Sequence, residues 1–447
     1  CGLRSLIADY PTVQMALDSD SHGVRRAILF GSLAVALVLC YQAVRIWTAD
    51  AFVQSDDVAH IARGVRLEPG DGDAWDRLAR YHQQDFSNPD PSLAASEFNR
   101  AVRDDPRSAH FLMDLAGAYE QSGNLEAAQS AWHRARAAYP TSAEVDWNYG
   151  NFLLRNGNLT QGYAELQRAV RGDASYLPLA ISRGWRSSED VNALLDQILP
   201  ADPKAYLETL AFFASIHQPD PAIQVWQRLI AMGKPLPLEN TFPFFQTLIE
   251  GNRGDEARAA WPQALAAAGM HYDAPADGDR IWDGDFSNDF VNGGLGWRWE
   301  NPLGAVIEFD ARPASAASGR SVHIEFSGGT NLDLTYPVQF VPVEPSRAYH
   351  FHVLMRTETI STESGMRFLV QDPAHPAEIS AVTENLIGSR PWTAGQVDIS
   401  TGPDTHFLSV GLRRVQSRLF DSKLSGSVWI ADVSLLPTGG AAEPQAK

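Results

Sequence analysis

The chain has 447 residues, about three times the length of a typical domain, which predicts two or three domains rather than one small module. Its hydrophobic content of 44% and charged content of 20% are those of a folded protein, and a net charge of -18 repels a phosphate backbone, which argues against nucleic acid as a partner. Two cysteines, Cys1 and Cys40, cannot build a disulfide scaffold or a thiolate metal cluster within one chain.

Residues 1–26 precede an uncharged run from Ala27 to Val44 that continues through Arg45 and Ile46 to Trp47. The uncharged part, as a helix, rises roughly 27 Å, close to the ~30 Å of a bilayer core, and Tyr41 and Trp47 suit the interface. A single transmembrane helix is predicted over 27–47. Arg25 and Arg26 stand before it, whereas Asp50, Asp56 and Asp57 follow, so the positive-inside bias places 1–26 in the cytoplasm of a bacterium and the bulk of the chain outside its cytoplasmic membrane. A cleaved signal peptide competes through the small-residue site Ala49-Asp50-Ala51, but the gap before that site is polar. Cys1 reads as a start lacking its initiator methionine, since a lipid anchor so close to a span would be redundant. A juxtamembrane linker is expected over 48–66.

From residue 67 the chain repeats itself. A shift of 34 superposes Pro106 on Pro140, Gly123-Asn124-Leu125 on Gly157-Asn158-Leu159, and Ala135 on Ala169, which is the signature of a repeat array. Within one unit, Leu112, Leu115, Ala116 and Tyr119 are followed by Ala128, Trp132, Ala135 and Pro140, the spacing of two amphipathic helices broken at Gly123-Asn124. The unit before it carries Trp75, Leu78, Ala79, Ala94, Phe98, Ala101 and Pro106. This order resembles the tetratricopeptide repeat family over 67–175. In the third unit Trp147 falls one position late, Gly162 replaces an alanine and Ala174 a proline. Residues 176–270 still read as helix–turn–helix pairs and are taken as degenerate repeats. The resemblance implies an all-α solenoid with a concave protein-binding surface and no catalysis; Trp75, Phe98, Tyr119 and Trp132 are packing residues.

After a linker at 271–280, helical period gives way to short β-rich stretches punctuated by Gly, Pro, Asn and Asp. SVHIEFSG, LDLTYPVQFVPV, RAYHFHVLMRTE, MRFLVQDP, AGQVDIS, HFLSVGLRRVQ and SVWIADVSLLP predict strands of an all-β sandwich over 281–438, with a flexible tail at 439–447. Tyr349, Phe351 and Val353 alternate with His350, His352 and Leu354, which predicts one buried and one outer face. The opening IWDGDFS, the GWRWEN at 296–301, RAYHFHVLMRTE, PWTAGQVDIS and VWIADVSLL together resemble the carbohydrate-binding-module and galactose-binding-like jelly rolls. That resemblance implies a structural calcium held by Asp283, Asp285 and Asp432, although Ser287 and Ala431 replace frequent acids. It also implies core roles for Trp282, Trp392 and Trp429. Sugar binding needs exposed flat rings with donors nearby. Trp297 and Trp299, two apart in an extended segment, face one side. With Arg413 and Gln416, and Arg418 close by, they are the candidate glycan contacts.

No P-loop, dinucleotide fingerprint, HExxH or GxSxG elbow occurs. His350 and His352 lack an evident third ligand, and Gly293-Gly294-Leu295-Gly296 reads as a flexible turn. The sequence therefore predicts a non-enzymatic, membrane-anchored envelope scaffold that binds proteins through its repeats and a glycan through the jelly roll, in polysaccharide export or cell-surface assembly, with no cofactor beyond that calcium. A pure protein scaffold is the alternative, and an enzyme with its catalytic groups in the sandwich is a third reading.

Overall fold

The computed structural model describes residues 22–85, 88–271, 278–310, 319–420 and 422–441. The expected N-terminal segment up to residue 21, Cys1 included, and the last six residues of the tail lie outside these. The chain divides into two compact units between Asn156 and Gly157.

The first unit opens with α1 (His22–Val53), whose 32 residues rise roughly 48 Å. Its apolar side chains from Ile28 to Trp47 are exposed, none of the span being covered by protein. The helix does not stop at Trp47 as expected. It runs on to Val53, and α2 (Val58–Leu67) folds back on its last turns, so a packed helical pair replaces the predicted linker. Gly64 permits the approach, because a Cβ there would lie 2.6 Å from Val53 Cγ2 and 2.7 Å from the Ala49 carbonyl oxygen. Arg45 closes the pair on Glu68 at 2.6 Å.

Five more helices follow: α3 (Gly72–Gln84), α4 (Pro91–Asp104), α5 (Ala109–Gln121), α6 (Leu125–Ala138) and α7 (Ala143–Arg155). Each begins where a short polar side chain accepts an orphan backbone N–H: Asp71, Asp90, Ser108, Asn124 and Ser142 all cap the third residue onward. Ala79, Ala94, Ala101, Ala116, Ala128 and Ala135 are fully buried, which lets paired helices approach closely. Phe98 and Trp132 are buried in the same core, with Trp75 and Tyr119 packed against its edge, as the repeat pattern predicts.

The second unit continues with α8 (Leu159–Gly172), α9 (Leu177–Ser188), α10 (Val191–Ala193, running on as a π-helical turn Leu194–Ile198), α11 (Pro203–Ser215), α12 (Pro219–Ala231), α13 (Phe242–Glu250) and α14 (Gly254–Ala267). A two-sheet antiparallel sandwich completes it. One sheet has the order β1 (Ala305–Asp310), β2 (Ser321–Ser327), β9 (Ser425–Ala441), β4 (Arg347–Ile360), β7 (Gly388–Ser400). The other has β3 (Val338–Pro342), β8 (Phe407–Arg413), β5 (Arg367–Gln371), β6 (Ser380–Val382). Tyr349, Phe351, Val353 and Met355 of β4 point into the core and are fully buried, while His350, His352 and Leu354 face outward. The closing strand β9 extends past residue 438 to Ala441, so the start of the expected tail is strand.

The sandwich and the last helices share one aromatic row. Phe245 meets Trp261 at 5.1 Å between ring centroids, and Trp261 meets Trp282 edge-to-face at 5.5 Å. Gly293 and Gly294 are not a flexible turn: a Cβ on Gly293 would lie 2.1 Å from the Phe242 ring and one on Gly294 2.2 Å from the Trp261 ring. Only glycine lets the backbone lie this close to those rings. Arg258 of α14 and Arg280 converge on Glu344 of the β3–β4 loop, at 3.5 Å and 2.6 Å. Because antiparallel strands alternate direction, the β3–β4 and β7–β8 loops lie at the helix-bearing end, and the β2–β3, β4–β5 and β8–β9 loops lie at the other.

Candidate protein-interaction surface

In the first unit α3 lies beside α5 and α5 beside α7, so the first helices of successive pairs form a continuous face. On α5 its outer positions are His110, Met113, Asp114, Gly117 and Gln121, and on α7 they are Glu144, Trp147 and Asn148, spaced as one helix side. His110, Gln121 and Glu144 are exposed and the others half-buried. At Gly117 the floor is bare: a Cβ there would meet only Gln83 Nε2, at 3.7 Å. Ion pairs one repeat apart tie these helices together. Arg80 of α3 binds Asp114 at 2.8 Å across 34 positions, and Arg155 of α7 forms two 2.8 Å bonds to Glu120 across 35.

The second unit repeats the device. Arg228 pairs with Asp196 across 32 positions, His217 with Glu250 and Arg253 with Asp220 across 33. Between α11 and α13 lies an open cleft of about 620 Å³, floored by Leu207, Ala211 and Leu236, walled by Pro203, Pro235, Pro237 and Pro243, and rimmed by Asp202, Glu208, Glu239 and Lys204. Such grooves accept an extended or helical segment: the apolar floor supplies area and the rim sets charge preference.

Residues 86–128 and 118–176 match the family model described as Tetratricopeptide repeat. Residues 86–176 are tetratricopeptide repeats. No curated protein matches the chain. Among solved structures, the fold is similar to that of YrrB, titled a tetratricopeptide repeat protein with an unusual peptide-binding site, at 13% identity and a TM-score of 0.24, covering 47% of this chain and 93% of that one. It is also similar to pilF of Pseudomonas aeruginosa at 19% identity and a TM-score of 0.24, covering 45% and 93%. The APC/C hetero-tetramer Cut9-Hcn1 is matched at 14% identity and a TM-score of 0.27, covering 43% and 39%. The repeats make this chain a protein-interaction scaffold.

The residues expected to hold a glycan are placed differently. Trp297 is fully buried, donates its indole N–H to the Asp283 carbonyl at 3.1 Å, and packs on Phe286 at 5.4 Å. Trp299 is also buried, its backbone N–H held by Asn292 at 2.8 Å. The two do face one side, but that side is the core, so neither offers a ring face to a sugar. Arg413 is bonded to Asp333 and to the Leu334 carbonyl, and Gln416, exposed, donates to the Asn331 carbonyl at 3.3 Å. Of the other tryptophans, Trp282 is core as expected. Trp392 and Trp429 are half-buried instead. Trp429 stands on the outer face of the five-stranded sheet, stacked on His323 at 4.4 Å with Arg356 4.5 Å from the ring centroid.

The calcium ligands implied by the resemblance do not assemble. Asp283 accepts from the Asn288 backbone at 3.1 Å and side chain at 2.9 Å, and burial pushes its pKa up to about 6. Asp285 accepts from the Ser287 backbone and hydroxyl at 3.2 Å and 2.6 Å. Among the described residues the single trio of His, Cys, Asp or Glu with ligand atoms within 4.8 Å lies elsewhere, so these two acids do not converge with Asp432 on a cation.

Three features escaped the sequence reading. His350 has a carboxylate after all, Asp398 at 2.7 Å on the neighbouring strand. Arg414 is fully buried and ties the loops at the far end of the sandwich, donating to the Ser364 carbonyl, Asn331 and Thr362 at 3.1, 3.0 and 3.2 Å. Asp76, Arg80, His110 and Asp114 form a cluster on α3 and α5. That cluster left no signal in the repeat, because α3 and α5 are offset by 37 positions, which lays Arg80 on Gly117 and Asp76 on Met113.

Proposed function

We propose that the chain is a non-enzymatic scaffold of the bacterial cell envelope, held in the cytoplasmic membrane by α1 and gathering partner proteins along the open faces of its repeats, in polysaccharide export or cell-surface assembly. The observation that carries this is the cleft between α11 and α13, which is apolar-floored and polar-rimmed; the α3–α5–α7 face adds half-buried Met113 and Trp147 among polar side chains. Retention of α1 is supported by its last turns, which pack against α2, so the bond after Ala51 that a signal-peptide reading would cut lies inside a packed helix. The orientation rests on Arg25 and Arg26 before the span.

A glycan remains a second reading at a new place. Phe420 is fully exposed on the β8–β9 loop, with Gln416 and Arg418 in the same loop, so both faces of its ring are free to stack. One set of preparations tests both readings. Full-length protein carrying Leu207→Glu should melt at the wild-type temperature and lose at least about tenfold affinity for the partners that co-purify with it. Phe420→Ala should keep those partners and lose any heat of binding to envelope polysaccharides. Unchanged partner affinity in Leu207→Glu overturns the groove assignment, and absence of polysaccharide binding in the wild type leaves the pure protein scaffold.

A further inference from the structure

The scaffold reading makes no use of the cluster between α3 and α5. Asp76 comes from α3, and His110 and Asp114 stand one turn apart on α5, so all three side chains project into one space, with a ligand atom of each within 4.8 Å of the others. The Asp76 side chain is only 9% exposed and its Oδ1 has no hydrogen-bond partner among the described residues, so Arg80, held at Oδ2, is the cation that balances it in a desolvated place. Burial, with the Asp114 carboxylate beside it, pushes the Asp76 pKa up to about 7.

Arg80 fills that space. It reaches Asp76 at 3.0 Å and Asp114 at 2.8 Å, and its Nη2 lies against His110 Nε2. A guanidinium from the same chain thus stands where a small cation would. Arg80 also has somewhere to go. Its side chain is 38% exposed and lines a cleft of about 440 Å³ into which it can swing.

We propose that Asp76, His110 and Asp114 bind a zinc-class divalent ion in exchange for Arg80, clamping α3 to α5 on the open face of the repeats. One imidazole nitrogen and two carboxylate oxygens form a mixed set that suits zinc or a neighbouring transition metal, whereas calcium and magnesium favour oxygen alone. Three protein ligands leave a fourth position for water or for a side chain of a bound partner, so the ion would both stiffen the groove and offer it a contact point.

Tag-free, chelator-stripped full-length protein titrated calorimetrically with zinc chloride tests this. The expected result is one saturable equivalent with a Kd on the order of 1–10 μM, weakened at least about tenfold in His110→Ala and in Asp114→Asn. Arg80→Gln should bind several-fold more tightly, because the competing cation is gone; a cluster that serves only as an ion-pair network has no reason to gain affinity there. His110 is more than half exposed, so its removal spares the fold. Absence of saturable binding in the wild type, affinity unchanged in His110→Ala, or no tightening in Arg80→Gln overturns the proposal.

Discussion

Trp297→Ala should lower the unfolding free energy of the sandwich by about 3–5 kcal/mol, the cost of emptying a fully buried indole site. Trp297 sits among Phe286 and Phe290 and donates to the Asp283 carbonyl at 3.1 Å, so the variant loses both packing and a buried hydrogen bond. Guanidinium unfolding followed by circular dichroism, with hydrogen exchange read on the β4 strand, measures the loss. A cost below about 1 kcal/mol would contradict the core placement and restore the ring as a surface group.

Gly294→Ala should cost about 3 kcal/mol, from overpacking and left-handed strain together. The backbone there has φ +57, and the added Cβ would lie 2.2 Å from Trp261. The damage should appear at the joint between helices and sandwich, as faster hydrogen exchange in α14. Gly269 is the control. Its φ is +73 but nothing lies within 4 Å of a Cβ placed on it, so Gly269→Ala carries the strain without the clash. Equal effects of the two substitutions would mean that Gly294 is needed only for its dihedral angle.

These two positions also show where sequence reasoning stops. Period 34 is a property of the chain, so the repeats, their alanine contacts and their capping residues could be read directly. Alternation told which of Tyr349, Phe351, Trp297 and Trp299 share a side with a neighbour. It could not tell which side is core, because that depends on the sheet or helix laid against it. For β4 the outward histidines settled the matter, whereas around Trp297 the flanking glycines suggested exposure when they in fact admit Phe242 and Trp261. β1 and β6 were not predicted at all; β6 is three residues long and β1 is an edge strand. Buried Arg414 was legible only as a charge, since all its partners but the Ser422 carbonyl lie 50 to 83 positions away. Trp297 and Trp299, offered as glycan contacts, are spent on the core instead.

The most direct test of the scaffold reading is photo-cross-linking in cells from single positions of the full-length chain. A cross-linker at Met113 on the α5 face and at Leu207 in the α11–α13 cleft should each capture a discrete partner band, while one at Ser96, exposed on α4, should capture none. Capture from Ser96 alone, or from none of the three in membranes that retain the protein, would contradict the account.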